Sequence, residues 1–358
     1  MVEVDFIYLL PIFALSGIMV YFVWYKIKDS IPFLYPTGVV MAKEARLIDD
    51  TRFDELMLLP LEDFVASLGN TEYGEYIKGT RYEEIENGLL LFKQKLYYEL
   101  FKLIPERFTD IFDFLLREWD VINLRTVLTG VHAGLSADEV SDRLIEGGVM
   151  FGKISSLVGE DLEKIGATFE GTSLGLAIEE YTKIKNFSGI DLALGKWTVE
   201  TLSHKLNGRS EKKLWAVKRY VDLSLDVLNF KVMLRGKWGG VTEEGIKRFL
   251  LGVEVSRVYG ETASMREFLE RMRETRYGYL ITEVEEDMMR MEQRVDEAML
   301  KAVKDLSQEE AFGFVPILRF LALKDAEIRN LRLIAKLKAE GVPNERIKEM
   351  VLSMGVGG

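Results

Sequence analysis

Acid, amide, base and glycine recur together in this chain at a fixed spacing. Asp120, Asn123, Arg125 and Gly134 form the first set, and Asp226, Asn229, Lys231 and Gly240 the second. Glu327, Asn330, Arg332 and Gly341 complete the series. The sets keep register without a gap and lie roughly a hundred residues apart. Acid and amide three positions apart share one helix face, while the base is displaced around the cylinder. A buried asparagine on such a face ordinarily bonds backbone at a bend or loop, and that holding role is the first expectation for all three. The other reading turns three equivalent helices toward a shared axis. Three acids there would receive a basic stalk, whereas three bases would steady an acidic one.

Other chemistry is sparse. The chain has 2 histidines and no cysteine, so thiolate metal sites, disulfides and cysteine nucleophiles are excluded. His132 and His204 sit in no metal-ligand spacing. The run from Gly189 to Trp197 resembles a phosphate loop poorly. It has one residue too many between its glycines, and Trp197 stands where a hydroxyl must reach magnesium. Gly236, Gly239 and Gly240 follow a helical pattern rather than a strand, so a dinucleotide site fails on context. Glu285 and Glu286 read as a solvated helix face. No catalytic residue, cofactor or metal is therefore expected. A formal net charge of -11 argues against nucleic acid as a partner.

A second motif recurs with the same period and shows what must position these residues. Thr71-Glu-Tyr73-Gly74, Thr172-Ser-Leu174-Gly175 and Thr275-Arg-Tyr277-Gly278 each read as a helix stop and turn, with glycine left-handed. Helices are expected from Tyr82 to about Leu103 and from Glu106 to about His132. Each set glycine then marks a corner before a fresh helix start, capped by Ser136 with Glu139, by Thr242, or opened by Pro343. With no strand pattern, the expected fold is all-α. It comprises three pseudo-symmetric helical bundles over residues 31–147, 148–257 and 258–358.

Residues 1–30 are read as a membrane-spanning helix. Phe6 to Tyr25 carries no charge, and a helix of that length spans about 30 Å. Lys26 and Lys28 follow at once, which places them and the bulk of the chain on the cytoplasmic face. A cell-membrane, single-pass protein is the resulting expectation.

Around Arg117–Arg125, Asp226–Lys231 and Lys324–Ile334, and at Tyr35-Pro36 followed by Glu44–Asp50, the chain resembles the C subunits of archaeal A-type and related V-type ATPases. The eukaryotic pump calls its equivalent the d subunit. The resemblance runs from about Tyr35 to Met350. One departure is clear: two arginines usual after the Tyr-Pro are replaced by Val39 and Met41. The resemblance implies a non-catalytic rotor part, present as a single copy in a multisubunit complex. It implies a funnel of three bundles, seated on the membrane c-ring (the K subunits) and receiving the D and F subunits of the central stalk. Torque would then pass during ATP-coupled proton or sodium transport. Phe6–Tyr25 would contact the bilayer or descend through the lumen of the ring. A membrane-tethered helical-repeat adaptor without a rotary role is the alternative.

Overall fold

The computed structural model describes residues 19–355, apart from residues 23, 26, 185–187, 248–249, 251–253 and 286. Among these the chain is helical throughout, without a strand. The helix expected after Tyr82 spans Tyr82–Leu103 and stops ahead of Pro105. The next expected helix is broken. A 3-10 turn at Glu106–Phe108 and a short helix at Thr109–Phe112 precede the long helix Phe114–Ala133.

Three long helices carry the recurring sets: Phe114–Ala133, Trp215–Trp238 and Phe314–Ala339. All three end in the same way. Gly134, Gly240 and Gly341 have φ of 68°, 65° and 72°, the left-handed region that a Cβ disfavours. The amide that follows each glycine reaches back five residues. Leu135 N–H donates to the Gly130 carbonyl at 2.9 Å, Val241 to Gly236 at 2.8 Å and Val342 to Leu337 at 2.9 Å. This is a Schellman ending, which satisfies carbonyls left over at a helix terminus. A short helix restarts after each corner, at Ala137–Ser141, Glu243–Lys247 and Asn344–Met350.

The glycines of the threonine turns obey a different constraint. Gly74, Gly175 and Gly278 are not among the positive-φ residues, contrary to the left-handed expectation. A Cβ at each would instead meet a backbone oxygen, that of Gly69 at 2.2 Å, Phe169 at 2.2 Å and Arg273 at 2.3 Å. Glycine is required there because two backbone segments touch.

The apolar side chains gather in three cores. One occupies residues 124–197 and another residues 230–298. The largest joins both ends of the described chain, drawing on Phe33 to Phe112, Leu202 to Leu223 and Leu300 to Met354. Phe33, Phe108 and Phe112 surround Phe314 with ring centroids 4.7, 5.0 and 4.5 Å from it. Burying one such side chain contributes about 1.5–3 kcal/mol. Phe314–Ala339 is buried along most of its length, with Lys324, Glu327 and Asn330 among its buried residues.

The expected membrane-spanning helix is corrected. Among the described residues no helix is long and apolar enough to cross a membrane. Most of the Phe6–Tyr25 run, and Lys26, lie outside the described residues. Met19 to Phe22, Trp24 and Tyr25 are described and exposed, and the chain turns through Ile31–Phe33 into Leu34–Glu44. That helix has 11 residues, a length of about 16 Å against about 30 Å of bilayer core. Its Pro36, Thr37 and Val40 are buried against protein. The single-pass placement, with Lys28 as a cytoplasmic flank, falls with the span, while most of residues 6–25, expected to contact lipid or ring lumen, lie outside the described residues.

The corners make a stability test. Gly134→Ala, Gly240→Ala and Gly341→Ala should each cost about 1–2 kcal/mol in denaturant unfolding, through backbone strain alone, because nothing lies within 4 Å of the added Cβ. Gly38→Ala, in the Leu34–Glu44 helix with equally open space, should stabilise by about 0.5–1 kcal/mol.

Candidate functional site

Two of the three amides of the recurring sets hold backbone. Asn123 donates from Nδ2 to the Ile145 carbonyl at 2.8 Å and accepts the Ile145 N–H at 2.8 Å. Asn330 does the same with Leu352, at 2.8 and 2.9 Å. In both, a side-chain amide pairs with the peptide group 22 residues onward, clasping the segment after the corner onto the long helix. Asn229 is buried and shares a hydrogen bond with the Tyr277 side chain.

The acids have three different sets of partners. Asp120 accepts the N–H groups of Val149 and Met150 at 3.2 and 2.8 Å. Gly148 makes this approach possible, since its Cβ would lie 2.2 Å from Asp120 Oδ1. Asp226 pairs with Arg276 and accepts from Tyr279 Oη at 3.4 Å. Glu327 accepts from Tyr73 Oη at 2.5 Å and from Lys324 Nζ at 3.1 Å. Of the bases, Lys231 meets Asp296 at 2.5 Å and Arg332 pairs with Glu86, while Arg125 is likewise engaged. The acids and amides are buried and turned toward protein rather than toward an open axis.

Burial raises the carboxyl pKa values of Asp120, Asp226 and Glu327. Backbone N–H groups oppose this at Asp120, Arg276 opposes it at Asp226, and Lys324 with Tyr73 opposes it at Glu327.

The threonine turns are equally local. Thr71, Thr172 and Thr275 each donate from Oγ1 to the carbonyl three residues back, at 2.6, 2.7 and 2.7 Å. Tyr73 and Tyr277 then project into the protein, fully buried.

A cavity of about 360 Å³ lies elsewhere on the same long helices. Five helices follow one another around it, each touching the next: Tyr82–Leu103, Phe114–Ala133, Ser188–Leu206, Trp215–Trp238 and Phe314–Ala339. Its polar wall includes Glu118, Ser224 and Asp325, and its apolar wall Val199, Leu202 and Leu321. Glu118, Ser224 and Asp325 each stand two residues before a set acid. Two residues turn a helix by about 200°, so cavity and set residues occupy opposite faces. This shared register was present in the sequence and is the signal that would have found them.

Charge at the cavity is organised by Lys93. Its buried ammonium lies 2.5 Å from Glu118 and 2.9 Å from Asp325. Tyr97 donates to Asp325 as well. Burial alone would lower the Lys93 pKa, but the Asp325 and Glu118 carboxylates outweigh it and raise the value. Burial raises Glu118, with Lys93 opposing. One cation between two carboxylates leaves this wall acidic. Among the described residues no group of three metal-ligating side chains comes together.

Comparison with known proteins follows the same residues. A family model described as ATP synthase (C/AC39) subunit matches residues 36–350. The A-type ATP synthase C subunit of Thermococcus kodakarensis is 30% identical over 333 residues, covering 89% of this chain and 90% of that protein. Its counterpart from Desulfurococcus sp. is 29% identical, covering 94% and 98%. The Pyrococcus abyssi counterpart is 30% identical, covering 94% and 96%.

Two measurements test the clasps. Asn330→Ala removes both bonds to Leu352 and orphans a buried peptide, so it should destabilise by about 2–4 kcal/mol in denaturant unfolding. Titration gives the second. Glu327 has a folded pKa above its unfolded value, so the folded state binds more protons and that contribution fades as pH rises. Relative to Glu327→Gln, the wild type should gain stability as pH falls from about 7 toward about 5. A pH-independent difference would contradict the burial effect.

Proposed function

The chain belongs to the ATP synthase (C/AC39) subunit family, and from that membership we propose that it seats the central stalk on the membrane ring. It is a structural, non-catalytic part of a multisubunit A-type ATP synthase. On this reading the D and F subunits of the stalk engage one side and the c-ring, built of K subunits, the other. Torque passes between them during ATP-coupled proton or sodium transport.

One observation carries the proposal. Glu118, Ser224 and Asp325, from three separate repeats, reach a single cavity from the same register position. A concave seat shared by all three repeats suits a partner that enters along a common axis. Its acidic wall favours a basic group, and its apolar wall offers area that is released from water on docking. The rest suits a stiff coupling. Buried acids are satisfied inside the protein, and the corners are locked by glycine.

Pull-down from native membranes tests it. A tagged chain should bring ring and stalk proteins with it. Ser224→Trp fills the cavity without touching the Lys93 ion pairs, and should lower stalk capture by about tenfold, a loss of about 1.4 kcal/mol, while ring capture persists. Unchanged stalk capture by a folded Ser224→Trp chain would rule out the cavity as the seat.

A further inference from the structure

The recurring set and the threonine turn each occur three times, and each copy carries a different arrangement of charge. A joint pairs a long helix with a threonine turn, and the decisive positions are three. They are the set acid, the residue three before it on the helix, and the residue just after the threonine. On Trp215–Trp238 these are Asp226, Leu223 and Arg276, with Arg276 paired to Asp226. On Phe314–Ala339 they are Glu327, Lys324 and Glu72, and here the polarity is reversed. The helix supplies the cation, Lys324, and the turn supplies the anion, Glu72. On Phe114–Ala133 they are Asp120, Arg117 and Ser173. There the turn is uncharged, Arg117 turns to Asp113, and Asp120 is satisfied by the backbone beside Gly148.

The pairing order adds to this. The turn at Thr275 lies on the helix that precedes it in sequence. The turn at Thr71 lies on the last long helix, with contacts 251 to 254 residues apart. Closing the first unit onto the last is the least local step of folding, so that turn must find its helix among near copies. The shape of the turns discriminates little, because Tyr73 and Tyr277 are both buried tyrosines that follow threonines bonded to the carbonyl three residues back.

We infer that the reversed charges of Glu72–Lys324 and Arg276–Asp226 are a pairing code, which admits each turn only to its own helix and thereby fixes how the chain closes. The electrostatics run in the required direction. A Glu72 turn placed on Trp215–Trp238 sets two carboxylates together, with Leu223 offering no cation. An Arg276 turn placed on Phe314–Ala339 sets a guanidinium against Lys324, which is wholly buried. An unpaired buried charge is strongly penalised, whereas the correct pairs are satisfied. Specificity of this kind comes from repulsion in the wrong arrangement as much as from attraction in the right one. The same mismatch would act between two copies of the chain, where the turn of one could seat on the long helix of the other.

The test is to make two joints carry one code. Lys324→Leu with Glu72→Arg rebuilds at Phe314–Ala339 the set already present as Leu223, Asp226 and Arg276. Each single variant should lower the melting temperature, because Lys324→Leu strips two carboxylates of their cation and Glu72→Arg opposes like charges. The double variant should regain most of that loss. Its refolding from denaturant should nonetheless suffer, with monomer recovered by size-exclusion chromatography about twofold below wild type and falling as protein concentration rises. A double variant that refolds to monomer as completely as wild type overturns the code and leaves only a local ion pair. A double variant that regains no stability also overturns it, because the joints would then not be interchangeable.

Discussion

Everything in this fold hangs on the network that joins the last long helix to the first unit. Lys324 and Glu327 lie buried on Phe314–Ala339, and Glu72 and Tyr73 come to them from the far end of the sequence. Neither charge could stay buried alone. Together with the Tyr73 hydroxyl they satisfy one another, and the apolar side chains around them complete a core that neither terminus could form separately. The carboxy-terminal end adds to the closure, since Asp50 accepts the N–H groups of Met354 and Gly355 at 2.6 and 3.0 Å. Both ends of the described chain are therefore tied together. Opening the network would expose Phe33, Phe314 and their neighbours at once.

Much of this was legible in the sequence because backbone geometry leaves marks in residue type. Gly134, Gly240 and Gly341 announced corners, since little but glycine adopts a left-handed helix end. Asn123 and Asn330 announced backbone clasps. The glycines of the threonine turns misled, because close backbone approach and a positive φ both select glycine and only coordinates separate them. The membrane span misled for a related reason. A run of uncharged residues records hydrophobicity, and hydrophobicity alone does not specify a bilayer crossing. The cavity residues were harder still. Glu118, Ser224 and Asp325 share a register but not a chemical type, and Lys93, which organises two of them, belongs to a helix outside the recurring sets.

Opposite faces of the same helices do different work. On one face the set acids and amides are buried and engaged: Asn123 and Asn330 fix their helices to the segment that follows, and Glu327 ties its helix to Tyr73 far earlier in the chain. On the other, two residues earlier, side chains reach the cavity and vary from repeat to repeat. Holding residues must stay alike because the corner they hold is alike. The cavity-lining residues hold no such corner, and they differ in type from Glu118 to Ser224 to Asp325.

That division also explains how a protein so rich in buried charge can be without reactive chemistry. A catalytic carboxylate needs a neighbour that changes during the reaction and access to something that reacts. Asp120 has neither, being capped by two peptide N–H groups. Glu327 is enclosed by a tyrosine and an ammonium, and Asp226 is covered by Arg276. Burial raises the pKa of each, the perturbation that often marks an active site, yet here every partner is part of the fold. Perturbed carboxyls in this chain therefore mark places where buried segments are held together. That use of buried charge fits a structural, non-catalytic subunit.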